Sequence, residues 1–468
     1  MKFDSDIVIG LEIHISLDTK TKLFCSCPNP KGEEEPNSVT CEVCLGHPGS
    51  KPIANKKAIE YITKLASSLK CEIADEVIFS RKTYFYPDLS KNYQITQYET
   101  PVGSRGKLIL NSGKPIFITR VHLEEDPAAL VHPKSISDSP FVLIDYNRSG
   151  VPLIEIVTEP VITSPDEART FMKQLITLLG YLDIFDINTG VIKADANISI
   201  RKSGYVRSEI KNINGFKEIE RALTYEIERQ KNEIKEGREL TCDTRGWDAN
   251  KGRTFLLRTK ETEEDYGYII DPDLVPISLS EFKKNIDTPE LPYEKALRFI
   301  KEYSIKEEDA HILCAEKSLG EMYDKVAKKI HPLLAAKWMR RELVRVMNLS
   351  DKTFDDLKIN ENHIIELLKL VYERKITDAT AQELLEKLME NPFSPKDYVS
   401  KYGLEAVSDL SELNVLCRES IDENPKAVED YRFGEEKSFN YIVGQVMKKT
   451  NGKADPSVVT QILKEMLD

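Results

Sequence analysis

The 468-residue sequence contains no GxxxxGK[ST] run and no GxGxxG, so neither a phosphate-cradling P-loop nor a dinucleotide fingerprint is available to it. No stretch approaches ~18 uninterrupted apolar residues, which argues against a membrane span. The opening MKFDSDIVIG has no basic region followed by a long apolar one, so a secretory signal is not expected. Positive charge is not in excess: 66 Lys and Arg face 78 Asp and Glu, for a net charge of −12. A generally basic nucleic-acid coat is thereby excluded, whereas a local basic patch is not.

What the sequence does hold begins with its eight cysteines. CxC and CxxC spacings without an export signal point to a reducing compartment, the cytoplasm, and to metal ligation. Cys25 and Cys27, a turn-rich loop, then Cys41 and Cys44 can close a tetrahedral S4 site, read here as structural zinc. A disulfide reading conflicts with the compartment, and a lone redox CxxC leaves Cys25 and Cys27 unexplained. The isolated Cys71, Cys242, Cys314 and Cys417 are expected to be buried small hydrophobes.

Residues 6–17 alternate, with Ile7, Ile9, Leu11, Ile13, Ile15 and Leu17 on one face. Glu12 and His14 fall together on the other, placed to converge on one cation. In ITRVHLEEDPA, parity puts Arg120, His122 and Glu124 on one face and Val121, Leu123 and Glu125 on the other; a bulge after His122 would swap Glu124 with Glu125. Leu153, Glu155, Val157 and Glu159 share a face after a hydrogen-bonding turn of Asp145, Asn147, Arg148 and Gly150. The run Val191 to Arg201 buries Ile192, Ala194, Ala196, Ile198 and Ile200 and presents Lys193, Asp195, Asn197, Ser199 and Arg201. One such strand reads as a wet surface; four of them predict a concave ionic site. Carboxylates with few imidazoles suit Mg²⁺ and polyphosphate better than catalytic zinc, with cations such as Arg148, Lys193 and Arg201 beside Asp195 as clamps.

Helices are predicted after Asn55 through Leu69, after the Ser164–Glu167 capping box, and over Phe216 to about Gly237. RKTYFYPDLSKNYQITQY, residues 81–98, reads either as a buried aromatic turn or as an aromatic-walled pocket rim. NIDTPELP at 285–292 marks a boundary beyond which the pattern is helical only, and the last ~65 residues form a small helical unit. Lys448, Lys449 and Lys453 cluster there, before a final helix opened by Asp455-Pro456. The fold class is α+β: an antiparallel-sheet cradle over residues 1–290 with an inserted zinc-binding loop, an all-helical domain over 291–404, and a small helical tail over 405–468.

GLEIH, the FCSC and CEVC pairs, RKTYFYPDLSKNYQITQY, HLEEDPA, DYNRSGVPLIEIVTEP, DANISIR with EIKNIN, and YIVGQVMKKTNGKADP together resemble the B subunits of aspartyl/glutamyl-tRNA amidotransferases. The resemblance runs from residue 8 to the C-terminus. It implies a glutamine-synthetase-like cradle that uses ATP to phosphorylate the side-chain carboxylate of misacylated Glu-tRNA(Gln) and/or Asp-tRNA(Asn). A helical domain and a YqeY-like tail would hold the tRNA, which gives the three tail lysines phosphates to meet. Ammonia would come from a partner A (amidase) subunit, and a small C subunit would brace the pair; no nucleophile constellation for glutamine hydrolysis is present in this chain. Carried over, Glu12, His14, Glu124 and Glu155 would hold Mg²⁺, Lys82, Asp88 and Lys91 would lie towards the ammonia route, and the cysteine quartet would bind zinc. Where the family usually shows DYRYFPEPDLPP, this chain has DYGYIIDPDLVP at 265–276, so that segment departs from the pattern. Two other readings of the same residues are a zinc-stabilised tRNA-binding scaffold without catalysis and a free-standing carboxylate–amine ligase.

Overall fold

A computed structural model describes residues 3, 5–133, 139–186, 190–258, 267–350, 358–406, 410–450 and 452–467. The chain divides into two compact units, Met1–Tyr293 and Glu294–Asp468. The first is built on a nine-stranded sheet whose spatial order is Arg253–Arg258, Asp243–Asp248, Ser208–Asn214, Ile192–Ile200, Ile7–Ser16, Pro152–Thr158, Pro115–Glu125, Gly103–Ile109 and Glu72–Ile73. The N-terminal strand therefore lies mid-sheet. Its neighbours on both sides run antiparallel to it, pairing Ile13 with Ile156 and with Ala194.

Ile9, Leu11, Ile13 and Ile15 are fully buried against three helices, Lys56–Ser68, Pro165–Leu182 and Phe216–Lys235. Each buried aliphatic side chain of this kind contributes ~1.5–3 kcal/mol, so the period-2 pattern is enforced by the sheet's helix-covered face. The first helix starts where Asn55 accepts from the backbone N–H groups of Lys57 and Ala58. The second starts at Ser164, whose hydroxyl accepts from the Glu167 N–H; Glu167 itself reaches back to the Thr163 N–H, so the capping box is shifted by one residue. One pairing is parallel, Ser208–Asn214 with Asp243–Asp248, because the Phe216–Lys235 helix between them is a crossover and not a hairpin. This corrects the all-antiparallel expectation at one edge of the sheet.

A second, three-stranded sheet of Gly267–Ile270, Ser80–Thr83 and Tyr93–Thr96 meets the large one at Pro115–Glu125. The second unit is helical among its described residues and holds two hydrophobic cores, one from Ala296 to Val399 and one from Leu413 to Leu467. Lys453 Nζ donates to the Gly403 carbonyl at 2.7 Å and ties the later bundle to the earlier one. Of the isolated cysteines, Cys314 and Cys417 are buried, but Cys71 is half-buried and Cys242 exposed, against expectation. Cys242 lies just before the Asp243–Asp248 strand, where the chain has not yet entered the sheet.

Candidate functional site: an ionic sheet face with a cysteine quartet beside it

Side chains directly opposite each other on neighbouring strands share a face. His14 lies opposite Glu155 on one side and Lys193 on the other, and Glu155 lies opposite His122. Four strands thus deliver one polar row to the face away from the helices. The His14 Nε2 is 3.5 Å from both a Glu124 and a Glu155 oxygen. His122 Nε2 is 3.3 Å from Glu155, and His122 is almost fully buried. His14, Glu124 and Glu155 each offer a ligand atom, all within 4.8 Å of one another. Burial disfavours charge on both imidazoles, yet the hydrogen bond that His14 donates to Glu155 and the charge of Glu124 outweigh it at His14, whose pKa rises to about 10. His122 rises to about 9 against its burial, chiefly through the charge of Glu155. Glu155 is held well below the ordinary carboxylate range despite burial, by His122 and then His14. Two carboxylates and an imidazole converging on one point form a donor set that fits a hard divalent cation. The buried His122 Nδ1 has no partner among the described residues.

Pairing of Glu125, Glu124, Leu123 and His122 with Pro152 to Glu155 runs without interruption, and the bulge falls at Thr158 opposite Ile118. Glu124 therefore faces the row. Glu125 turns away, where the Lys91 ammonium approaches it to 2.6 Å and the Ile95 N–H donates to it at 2.8 Å. Glu12 sits one row along, opposite Asp195 and Val157, and accepts from Asn197 Nδ2 at 3.2 Å. Burial, and then the charge of Glu155, raises its pKa. It shares the face but not the convergent trio. Asp195 is tied to Lys211, which also pairs with Glu209.

Lys193 and Arg148 do come close enough to act on one another. Burial and then Arg148 push the Lys193 ammonium pKa down. Arg148 pairs with Asp126 at 3.1 Å and donates to the Pro127 carbonyl at 3.0 Å. Asp126 continues the parity of His122 and Glu124 by two residues, a signal that sequence reasoning stopped short of. Burial raises it to about 6 in spite of Arg148 and Lys193. Asp126, Arg148, Asn147, Ser16 and Lys31 help line a cavity of about 260 Å³. Arg201 does not join this group. The strand ends at Ile200, and Arg201 opens a 3-10 turn where it pairs with Asp6 at 3.2 Å, half exposed. Eight residues beyond Lys193, it is about 27 Å along the strand from His14.

Asp88 and Lys91 line a small cavity with Glu125 and Asp126. Burial raises the Asp88 carboxyl, and its Oδ1 is buried without a partner among the described residues. Lys82 stands on the small sheet opposite Gln94 and Tyr268, with its ammonium 5.8 Å from the Tyr84 ring. Phe85 is 90% exposed and Tyr86 half exposed, so the buried aromatic turn is not what forms. Tyr93 is instead flanked by Arg81 at 4.4 Å and Lys91 at 5.5 Å. In the segment that departs from the family pattern, Asp265 and Tyr266 lie outside the described residues. Beyond them Tyr268 stacks on Tyr98 at 4.0 Å, and Asp271 and Asp273 both clamp Arg81, at 2.8 and 2.9 Å. Arg81 thereby fastens the segment to the small sheet that borders the ionic face.

The four cysteine sulfurs also lie within 4.8 Å of one another. A tetrahedral zinc–thiolate site requires S···S separations of ~3.8 Å, and the Cys41–Cys44 pair stands at 3.9 Å. The hydrogen bond from Cys25, and further off the Lys22 charge, bring the Cys44 thiol down to about 4. In the second unit Lys448 is exposed, Lys449 is paired with Glu419 and Glu423 at 3.3 and 2.9 Å, and Lys453 is engaged with Gly403 as above.

Residues 7–284 match the family model described as the GatB/GatE catalytic domain, and residues 321–467 that of the GatB domain. Along its whole length the chain is similar to proteins named as the B subunit of aspartyl/glutamyl-tRNA(Asn/Gln) amidotransferase. One from Methanospirillum hungatei is 43% identical, over 99% of both chains. Another from Carboxydothermus hydrogenoformans is 40% identical over 99% of this chain and 98% of its own. A third, from Caldanaerobacter subterraneus, is 41% identical over 100% of each.

Proposed function

The chain belongs to the family of aspartyl/glutamyl-tRNA(Asn/Gln) amidotransferase B subunits, and we propose that its ionic sheet face is where the side-chain carboxylate of misacylated tRNA is phosphorylated by ATP. It is the B subunit of a tRNA-dependent amidotransferase. The observation that carries the site is the convergence of His14, Glu124 and Glu155 from three adjacent strands. A glutamine-synthetase-like cradle is the reading for a sheet with helices on one side and this chemistry on the other.

A carboxylate resists ammonia because it has no leaving group. Attack of its oxygen on the γ-phosphorus releases ADP and leaves an acyl phosphate; ammonia then adds to the carbonyl and expels phosphate. His14, Glu124 and Glu155, with Glu12 at the edge, would hold Mg²⁺, which would supply charge neutralisation at the transferred phosphoryl. Arg148 and Lys193 draw the anionic substrate groups to the same end of the row, and Asp195, fixed by Lys211, orders the neighbouring edge. Arg201 is left out of the catalytic set, being at the far end of its strand. Asp88, Lys91 and Lys82 belong to the path of ammonia delivered by a partner amidase (A) subunit, and a small C subunit holds the pair together in the cytoplasm. Single-turnover release of γ-phosphate tests this reading: it is expected only with misacylated tRNA present, and release at the same rate with uncharged tRNA would contradict it.

The cysteine quartet takes structural zinc in the same reading, since closing the 28–40 loop restrains the N-terminal unit. Cys41→Ser is expected to lose the metal and to lower the unfolding midpoint of that unit by several degrees; unchanged melting would rule out a structural role.

The helical domain, 291–404, and the YqeY-like tail, 405–468, hold tRNA. Alanine at Lys448, Lys449 and Lys453 together is expected to flatten the salt dependence of tRNA affinity. At ~0.9 per neutralised phosphate, the fall in log–log slope is about 2 and not 3, because Lys449 must first leave Glu419 and Glu423. An unchanged slope marks the cluster as solvated surface.

A further inference from the structure

We propose that Lys22 is a positioning residue that couples metal binding at the cysteine quartet to the Asp145–Gly150 turn, and so to Arg148; the catalytic half of this inference rests on the function proposed above. Lys22 is a lysine with no solvent exposure. A buried ammonium persists only where its charge and its three donors are met. Its Nζ donates to the Val39 carbonyl at 2.8 Å and to the Tyr146 carbonyl at 3.4 Å, and it stands 3.7 Å from Cys44 Sγ. These contacts join three things: a metal-ligand sulfur, the loop between the two cysteine pairs, and the turn that presents Arg148. Four thiolates around a divalent cation carry a net charge of −2, and Lys22 halves it from within the protein.

The turn depends on the loop for most of its remaining partners. The Asn37 N–H donates to the Asp145 carboxylate at 2.9 Å, and the Asn37 side chain accepts from the Tyr146 N–H at 2.7 Å and donates to the Ile144 carbonyl at 3.1 Å. The Asn147 side chain accepts from the Val39 N–H and donates to the Glu35 carbonyl, both at 2.7 Å. The Ser149 hydroxyl donates to the Cys44 carbonyl at 3.1 Å, as Ser90 does at 2.7 Å. Gly150, at φ +88°, passes 3.5 Å from the Lys22 side chain as measured from the Cβ it lacks. Arg148 then reaches Asp126 and Pro127 from a turn whose register is set by the loop.

The test uses the full chain for zinc release to a chromophoric chelator, and the chain assembled with its ammonia-supplying partner for turnover. Lys22→Met keeps the stem and removes the charge; it is expected to speed zinc release at least ~10-fold. With zinc kept saturating, it is also expected to lower kcat for γ-phosphate release with KM for tRNA unchanged. Asn37→Gly keeps the positive φ of 62° while removing the two side-chain bonds from the loop to Tyr146 and Ile144 of the turn, so it should leave zinc release at the wild-type rate and still lower kcat. Wild-type zinc release from Lys22→Met overturns the counter-charge role. If Lys22→Met does not fold, Asn37→Gly decides the coupling, and an unchanged kcat there overturns it. Absence of tRNA-dependent phosphate release from the wild-type complex would defeat the proposed function alone, since the zinc-release readout does not use it.

Discussion

Glu155→Gln is expected to slow misacyl-tRNA-dependent ATP cleavage by at least ~100-fold, while tRNA affinity stays within a few-fold of wild type. The substitution keeps the side chain's size and removes one negative charge from the point where His14, His122 and Glu124 meet. On the proposed assignment Glu155 ligates the metal, so its loss would remove charge stabilisation of the transferred phosphoryl, and ~100-fold corresponds to ~2.7 kcal/mol of barrier. Glu12→Gln is expected to fall short of that, about tenfold, because Glu12 lies one row along and already engages Asn197. Quenched single-turnover assays with labelled ATP give both numbers. Equal and small effects from the two variants would mean that the trio does not hold the reacting phosphate.

Lys91→Met carries the largest expected cost to stability. Lys91 and Glu125 are 9% and 5% exposed in their side chains and lie in contact. Removing the ammonium strands a carboxylate in a buried site, a loss of about 3–5 kcal/mol in comparable pairs. Glu125 also accepts from the Ile95 N–H, so the proper control is Glu125→Gln, which keeps that acceptor without the charge. The double variant Lys91→Met/Glu125→Gln is expected to regain most of the loss. Denaturant unfolding of the single and double variants measures this coupling, and a Lys91→Met protein within ~1 kcal/mol of wild type would show that water reaches the pair.

Strand parity carried much of the ionic face into view from sequence alone. His14, Glu124 and Glu155 lie on faces that alternation assigns to them, and the absence of a bulge between His122 and Glu124 decides between Glu124 and Glu125. Parity failed where a strand stopped. Arg201 keeps the phase of Lys193 and Asp195, but the chain turns at Ile200 and takes it elsewhere. Parity also says nothing of register between strands, so it could not place Glu12 a row away from the trio. Asp126 was within reach of the same counting. The Arg81 clamp on Asp271 and Asp273 was not, because it joins residues about 190 apart through a small sheet that no local pattern announces. Lys22 was invisible for a related reason: a lone lysine beside a cysteine motif reads as surface, and its burial follows from the loop folding over it. The parallel edge of the sheet came from the helix between its two strands, a crossover whose two ends do not specify which neighbour they will choose.

The most direct measurement is a titration of Mn²⁺, as a spectroscopic substitute for Mg²⁺, into the full chain with a non-hydrolysable ATP analogue, followed by electron paramagnetic resonance. Wild-type protein should show a saturable, protein-bound site that is lost or weakened at least ~10-fold in Glu124→Gln and in Glu155→Gln, and little changed in Glu125→Gln, whose carboxylate faces Lys91 on the other side of the strand. An unchanged site in Glu124→Gln and Glu155→Gln would contradict the placement of the metal between His14, Glu124 and Glu155.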